Sequence, residues 1–489
     1  MEVNKMSDKR TQQKILKGKI LLTGKILLIS PAIIGSGRDD ITDVDVVRDI
    51  DGNPYIPGTS FAGVLRSAID INSLSDQLKN KVDFFWGTGK EKTKNGKNEK
   101  KTELRQSAVR VNDLLLIQPD QRKEKSNSLE DKEPISHRDG VKINNKKGIA
   151  EEGAKYDYEI IERGREFNLD IDITLDGIED DFKKRMLATI INLLKEGKIR
   201  IGAKTNSGFG RIHLVDEKIC IFDFSKKEDV LRWLKQDFTT VSKLEVENSE
   251  SDKFKIIPET FTISADFVIK NSLIVRSYNF DPDKADIENI RSNGKPVLPG
   301  TSIKGAIRAR AERIVKTLGK PESVISDLFG EVDEKKKLAK KGRITVEESV
   351  IDGYPEEVQT RIKIDRFTGG TIESALLETK PLFSKKDGKV INLKITIRDY
   401  KDHEAGLMLL VLKDLWTGDL PIGGEKAVGR GVLEGRKAVI ECDEIEEEIE
   451  FKRISDLKEG ERNSLQNFVG ALVNYKLEGG KDVRNEING

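Results

Sequence analysis

The 489-residue sequence has few of the residues that carry redox and metal chemistry, with two cysteines, three histidines and four methionines. Two cysteines cannot form a disulfide framework, and three scattered histidines do not form a zinc finger, so this usage fits a reducing cytoplasm. No apolar run is long enough to cross a bilayer, and the first residues, MEVNKMSDKRTQQK, lack the apolar core of a signal peptide. We therefore expect a cytoplasmic protein without a membrane partner.

Charged residues are abundant but balanced. The chain has 86 lysines and arginines against 85 aspartates and glutamates, for a formal net charge of +1. This balance says nothing directly about nucleic acid, because the two signs of charge can be segregated onto different faces. The length exceeds what one ordinary core accommodates and predicts two or three domains.

One stretch of the sequence occurs twice. NPYIPGTSFAGVLRSAI spans residues 53–69, and GKPVLPGTSIKGAIRARAERI spans residues 294–314. Pro57 and Pro299 are 242 residues apart, and so are Arg66 and Arg308. Each copy has an apolar strand-like pair, a PGTS turn and a helix that ends in arginines. The constant offset predicts a duplicated unit.

Further landmarks repeat in the same order, including DFFWGTG with DLFGEVD and two glycine-rich loops near residues 201 and 422. Each half predicts strand, helix, strand, strand, helix, strand, which is the split βαβ order. The predicted fold class is α+β, with two tandem ferredoxin-like domains. Residues 1–222 are the first domain, 223–258 a helical and polar linker, 259–440 the second domain and 441–489 an acidic C-terminal extension.

The PGTS turns are candidates for phosphate contact. Proline fixes the turn, glycine lets another backbone approach, and threonine or serine can cap the helix. Free amides beside hydroxyls at a helix start can bind phosphate, although such a turn also starts ordinary helices. The copies differ, because Lys304 aligns with Ala62. The predicted contacts are Gly58, Thr59, Ser60, Arg66, Gly300, Thr301, Ser302, Lys304 and Arg308.

The loops KTNSGFGR, residues 204–211, and EKAVGRG, residues 425–431, combine glycines with cations. A glycine-containing β-hairpin is the ordinary alternative. A dinucleotide-binding signature is rejected, because the third glycine and the strand–loop–helix context are missing. The predicted contacts are Lys204, Gly208, Phe209, Gly210, Arg211, Lys426, Gly429 and Arg430.

Together these landmarks resemble the RAMP superfamily of CRISPR-associated proteins, specifically a tandem fusion of two backbone units of type III RNA-targeting effector complexes. The motifs are YIPGTSFAGVLRS, LPGTSIKGAIRAR, FWG, LFG, RIKIDRFTGGT, SGFGR and VGRG. The resemblance implies RRM-like palms that bind a guide (CRISPR) RNA and a complementary target RNA among other effector subunits. It also implies β-hairpin thumbs at about residues 136–162 and 363–382, with RNA contacts at Arg138, Arg366 and Phe367.

The resemblance further implies catalysis. In catalytic members, an aspartate in the loop before PGTS, about five residues ahead of a basic position, cuts the target RNA with a divalent metal. Counting back from Arg48 and Arg291 gives Asp43 and Asp286, which become the predicted catalytic and metal-binding residues, with Mg²⁺ as the expected ion. Both loops are rich in acids, and the alternatives that stay open are Asp45, Asp283 and Glu288.

Three functions remain at this point: a two-site guide-directed endoribonuclease, a non-catalytic RNA scaffold, and a duplicated domain that binds small anions or protein. The repeated phosphate-type loops and the hairpins argue against the third. An acid at both counted positions favours the first. Guide-RNA processing ranks behind, since it leans on histidine and His137 is the one histidine near a candidate RNA surface.

Overall fold

The computed structural model describes residues 16–37, 44–69, 76–87, 106–118, 133–144, 149–242, 244, 259–278, 281, 283–333, 338–373, 375–445 and 447–476. Within these residues it has eight α-helices and mostly antiparallel sheets. The buried apolar side chains form two large, separate cores, one in each half of the chain. No helix in the described part is both long enough and apolar enough to span a membrane.

In its described residues, the first half contains ten strands and four helices. Its strands are β1 Gly18–Leu28, β2 Gly35–Gly37, β3 Asp45–Val46, β4 Tyr55–Ile56, β5 Val109–Val111, β6 Leu114–Leu115, β7 Ile135–Asn144, β8 Ile149–Ile161, β9 Glu166–Leu175 and β10 Ile212–Asp223. Its helices are α1 Gly58–Ser67, α2 Asp76–Trp86, α3 Asp180–Lys195 and α4 Lys227–Leu234.

The second half contains sixteen strands and four helices within the described residues. Its strands are β11 Thr260–Ile269, β12 Ser272–Leu273, β13 Arg276–Tyr278, β14 Ile287–Asn289, β15 Arg291–Ser292, β16 Lys295–Leu298, β17 Gly330–Asp333, β18 Leu338–Lys341, β19 Ile344–Val346, β20 Ser349–Val350, β21 Gln359–Arg361, β22 Leu377–Thr379, β23 Leu382–Phe383, β24 Ile391–Arg398, β25 Leu433–Cys442 and β26 Ile449–Phe451. Its helices are α5 Gly300–Thr317, α6 Ser323–Phe329, α7 Asp402–Trp416 and α8 Glu459–Asn474.

The main sheets of the two halves have the same strand order. The first runs β10-β1-β9-β5, and the second runs β25-β11-β24-β19, with β26 added beyond β25. In β11, alternate residues from Phe261 to Ile269 are buried, because successive side chains of a strand point to opposite faces of the sheet. The buried face packs against helices α5 and α7, whose apolar residues join the same core. The halves therefore position their loops in equivalent places.

The acidic C-terminal segment is integrated into the second core. Strand β26 pairs with β25, and the side chains of Phe468 and Leu472 from α8 are buried against α7. The contact is close at Gly406, where an added Cβ would lie 2.1 Å from the carbonyl oxygen of Phe468. The domain boundary expected near residue 440 stays a prediction.

Candidate nucleic-acid interface

Both PGTS turns start a helix two residues earlier than a threonine cap requires. Helices α1 and α5 begin at Gly58 and Gly300, so the N-cap residues are Pro57 and Pro299, without a side-chain cap. The predicted capping by threonine or serine is therefore wrong, because these hydroxyls lie inside the first turn. In the first unit, Asp113 substitutes as the cap, since its Oδ1 accepts the Gly58 amide at 2.7 Å.

The glycine of each turn is required by the protein's own packing. A Cβ on Gly58 would lie 2.4 Å from the carbonyl oxygen of Val111 on β5. A Cβ on Gly300 would lie 2.3 Å from the carbonyl oxygen of Val346 on β19 and equally close to that of Ser207. The hydroxyl-bearing positions are more open, because Thr59 and Ser60 are exposed and Thr301 and Ser302 half-buried.

The basic side chains on helices α1 and α5 differ in how accessible they are to a ligand. Arg66 is exposed. The ammonium of Lys304 donates to the carbonyls of Asn206 and Ile344 at 3.4 and 3.2 Å, and burial lowers its pKa to about 8. Arg308 pairs with Glu312 at 3.0 Å on its own helix. Lys304 thus reaches into the contact between the two halves of the chain.

The first glycine-rich loop forms that contact. Arg200 and Arg211 both pair with Glu347, at 2.9 and 3.1 Å. Arg138, on β7, is 2% exposed and forms an ion pair with the equally enclosed Glu348. A Cβ on Gly208 would lie 2.7–2.9 Å from the backbone of residues 346–348. The loop, together with these three arginines, therefore joins the first unit to the second.

Lys204, the first residue of the first glycine-rich loop, is half-buried, and its ammonium is enclosed. Its Nζ is 3.3 Å from the ring centroid of Tyr158 and 4.5 Å from that of Tyr156. Lys204 has no hydrogen-bond partner among the described residues, and burial, reinforced by the charge of Arg138, lowers its pKa to about 8. Phe209 is 1% exposed beside Tyr158. Neither Arg138 nor Phe209 is at a surface, so both are left out of the RNA interface proposed below.

The second loop has the same backbone but different neighbours. Lys204 and Glu425 both adopt left-handed backbone angles, with φ of 53° and 54°. A Cβ on Gly210 or on its counterpart Gly431 would lie 1.8 or 1.9 Å from a carbonyl oxygen of its own unit. The tip of the second loop is free, because Gly429 has nothing within 4 Å of a built Cβ. Lys426 beside it is exposed.

Three arginines surround the carboxylate of Glu425. Arg276 on β13 is 3.4 Å away, Arg361 on β21 is 2.9 Å away, and Arg430 of the loop is 3.0 Å away. Arg430 is 3% exposed, and its pKa is lowered by burial and by the other two arginines, against the opposing effect of Glu425. The cluster therefore carries two more positive than negative charges.

Hairpin-like structure lies where the thumbs are expected. In the first unit, β7 and β8 pair antiparallel over most of their length. In the second, residues 364 and 371 form a bridge that encloses a turn in which Asp365 accepts the amides of Phe367 and Thr368. These hydrogen bonds lower the pKa of Asp365. The side chain of Phe367 is 100% exposed, and Arg366 is exposed beside it.

The predicted catalytic aspartates precede equivalent positions. Val44 forms a parallel bridge with Tyr158, and Ile287 forms one with Thr379. Asp286 directly precedes Ile287, is exposed, and accepts the amide of Glu378 at 2.8 Å. Asp43, directly before Val44 in the sequence, lies outside the described residues.

The basic positions used to find these aspartates are also equivalent. Arg48 makes two 2.8 Å contacts with Glu159, and Arg291 pairs with Glu356. Glu159 lies on β8 of the first hairpin, and Glu356 forms a bridge with Leu382 at the end of the second hairpin region. The acidic loop and the hairpin are therefore tied together in the same way in both halves.

A family model for the RAMP superfamily matches residues 25–213 and again residues 266–434. The chain belongs to the RAMP superfamily. The two matches together cover more than half of the chain and confirm the predicted tandem of two RAMP units. Membership indicates a CRISPR-associated RNA-binding subunit. A search of curated proteins found no match.

Sequence reasoning missed four charged residues that distinguish the two RAMP units. Glu347 and Glu348 of the second unit form ion pairs with arginines of the first. Arg276 and Arg361 belong to the arginine cluster around Glu425 in the second unit. The repeat alignment contained one signal, since the aligned strands continue as Val-Asn-Asp in the first copy and Val-Glu-Glu in the second. The two arginines had no such signal, because they are distant in sequence from the loop that they contact.

The expected divalent ion fits the exposed acidic loop in a limited way. Among the described residues, no group of three or more potential ligands is arranged around a metal position. Magnesium is commonly held by one or two carboxylates together with substrate phosphates and water. The exposed carboxylate of Asp286 fits such a site, in which RNA would supply the remaining ligands.

Proposed function

We propose that this chain is a guide-RNA-binding backbone subunit of a type III CRISPR ribonucleoprotein, which cleaves complementary target RNA at two sites. Each unit is interpreted as a ferredoxin-like, RRM-like palm with an inserted hairpin thumb. The observation that carries the proposal is the equivalence of Val44 and Ile287, since each bridges to the hairpin region of its own unit and each is directly preceded by an aspartate in the sequence.

The second unit has the parts that cleavage requires on accessible surfaces. The ring of Phe367 is fully exposed at a turn, where it can separate neighbouring bases by stacking against one of them. A splayed nucleotide can align its 2′-hydroxyl with the adjacent phosphate, and such positioning removes much of the barrier. Guide–target base pairing would then read the sequence, while protein contacts go to the RNA backbone.

Asp286 is proposed to act at the reacting phosphate. Its exposed carboxylate either takes the proton of the attacking 2′-hydroxyl or holds Mg²⁺. The ion, when bound, supplies positive charge against the developing negative charge of the phosphate oxygens. The expected products are a 2′,3′-cyclic phosphate and a 5′-hydroxyl. Asp43 is proposed for the same role in the first unit.

The test is a map of cut positions on a labelled complementary RNA in the assembled complex, with Mg²⁺ or EDTA. Asp286→Asn keeps an oxygen for the Glu378 amide but removes the charge. It is expected to slow one cut by about 10²–10⁴-fold without weakening RNA binding. Asp43→Asn should remove a different cut, and Asp281→Asn, at an exposed residue of the same acidic loop as Asp286, is the matched control.

The competing function is a non-catalytic RNA scaffold, which the hydrogen bond from Glu378 to Asp286 favours, because it gives this carboxylate a structural role. A wild-type complex that binds target RNA and leaves it intact would establish the scaffold. Cuts that survive in the double variant would assign cleavage to other carboxylates or to another subunit.

A further inference from the structure

The base of the second hairpin region holds more arginines than its carboxylate can neutralise. Arg276, Arg361 and Arg430 come from a strand, a second strand and the glycine-rich loop, and all lie within 3.4 Å of Glu425. One carboxylate facing three guanidinium groups leaves a local surplus of two positive charges. Like charges this close repel one another, so a further anion would stabilise the arrangement.

Burial makes this surplus costly. Arg430 is 97% buried, and its Nη1 has no hydrogen-bond partner among the described residues. Its Nη2 donates to Gln359 at the start of β21, so only part of the guanidinium is satisfied. An incompletely paired buried charge is destabilising, and a ligand with negatively charged oxygens would satisfy the remaining donors.

The cluster is also accessible. The side chains of Arg276 and Arg361 are 39% and 37% exposed, above the enclosed Arg430. Beside them, Val428 is 61% exposed and Gly429 has open space around it. Planar guanidinium groups match phosphate oxygens in pairs and are more weakly hydrated than ammonium groups. The chemistry of the cluster therefore fits phosphate.

The fold does not require these arginines. Tyr158 of the first unit and Thr379 of the second occupy equivalent positions, and their pairing partners are Arg138 and Gln359. Two residues further on, Gly140 stands where the second unit has Arg361. Phe209 stands where it has Arg430, and Lys204 where it has Glu425. The first unit builds the same loop without the arginine cluster, so the cluster has a separate role.

We propose that Arg276, Arg361 and Arg430 form a phosphate-binding site that holds a backbone phosphate of single-stranded RNA. The identity of the ligand as RNA rests on the proposed function, whereas the phosphate site rests on the cluster itself. Glu425 orders the three arginines and competes with the ligand for their charge. The second unit therefore carries an RNA contact that has no counterpart in the first.

The test uses the full chain and a fluorescent 20-nucleotide uridine RNA, with affinity measured by anisotropy at several salt concentrations. Arg276→Gln combined with Arg361→Gln is expected to weaken binding about tenfold at low salt. The slope of log affinity against log salt should fall by about 0.7, which corresponds to one phosphate contact on a single strand. Arg436→Gln combined with Arg453→Gln removes the same charge elsewhere in the second half and is the control.

Glu425→Gln supplies a change in the opposite direction. It removes the competing carboxylate, so RNA binding should become several-fold tighter and the salt slope steeper. If the cluster only stabilised the loop, both the arginine variant and Glu425→Gln would disorder the loop, and both would change RNA affinity in the same direction. Equal RNA affinity and salt slope for the wild type and the double arginine variant would overturn the proposal.

Inorganic pyrophosphate, measured by calorimetry on the same proteins, separates the two claims. If the wild type fails to bind RNA but binds pyrophosphate in a manner that depends on Arg276 and Arg361, the phosphate site stands and its RNA assignment fails together with the proposed function. If neither ligand binds, the phosphate site is wrong, and an acidic protein segment becomes the alternative occupant.

Discussion

The two glycine-rich loops have nearly the same backbone and opposite surroundings. In the first unit, the loop from Lys204 to Arg211 is packed against the second unit, and the ammonium of Lys204 lies against two tyrosine rings. In the second unit, the loop that begins at Glu425 has a free tip, and the carboxylate of Glu425 lies among three arginines. The first loop therefore forms a contact between the two units, and the second is accessible to a ligand.

This difference shows that the glycine pattern specifies a turn and not a function. Gly210 and Gly431 are needed for the same reason. A Cβ at either position would lie less than 2 Å from a carbonyl oxygen of its own unit. What surrounds the turn is set by residues distant in sequence, such as Glu348 for the first loop and Arg361 for the second. A duplicated motif can therefore diverge without any change in its backbone.

The largest expected effect comes from removing an ion pair between the first and second units. Glu348→Ala removes the partner of Arg138, whose side chain is 1% exposed. Loss of one partner from a buried ion pair leaves an uncompensated charge and costs about 3–5 kcal/mol. We expect a fall of that size in the free energy of unfolding by urea. Glu434→Ala, at a half-exposed pair with Arg436, is the control and should cost about 0–1 kcal/mol.

A smaller effect compares the same substitution in the two loops. Gly208 and Gly429 have φ of 89° and 83°, so alanine at either position costs about 1–2 kcal/mol of backbone strain. Only at Gly208 would the new Cβ also collide with the backbone of the other unit. Urea unfolding should therefore show Gly208→Ala as less stable than Gly429→Ala by a further 1–3 kcal/mol or so. Equal losses would mean that the first loop is not packed as described.

The smallest effect is a pH dependence. The pKa of Lys204 is lowered to about 8 in the folded protein, against about 10.4 for an ordinary lysine. Between these values the unfolded chain binds a proton that the folded chain has released, so stability rises with pH across this window. Tyr158, with a pKa raised to about 12 by burial, stays neutral there.

Lys204→Met should remove part of this rise, measured as the urea midpoint at pH 7.5 and 9.5. It should also stabilise the protein at pH 7.5, because an ammonium without a hydrogen-bond partner is no longer buried. Lys304 has a similarly lowered pKa, so the variant keeps some of the slope. A variant whose stability changes with pH as steeply as the wild type would show that Lys204 is not held in this way.

Much of the fold was predictable because the repeat carried two independent offsets. One offset relates the turns at Pro57 and Pro299, and the other relates the loops at Gly208 and Gly429. Together they indicate from the sequence alone that the elements follow the same order in each half. The start of the helices was predicted less well. The threonines of PGTS have the chemistry of a cap, but each helix already begins at the preceding glycine, Gly58 or Gly300. These glycines pack closely against neighbouring strands, which holds the first turn of the helix at that position.

The candidate site was predictable only where neighbouring residues in the chain act together. Asp286 and Phe367 were found from local motifs, and both are exposed. Arg138 was expected at an RNA surface, but it is enclosed by Glu348, 210 residues away. A local pattern cannot indicate whether an arginine meets RNA or a distant carboxylate, because both satisfy the same guanidinium group.

Hydrogen exchange on the full chain, with and without the uridine RNA, tests most directly the claim that the two loops have different roles. The account predicts that amides in residues 204–211 are protected to the same degree in both states, because the loop is already packed, whereas those in residues 425–431 exchange faster without RNA and gain protection when RNA is added. Similar RNA-dependent protection in both loops would contradict the account, as would a first loop that exchanges rapidly without RNA.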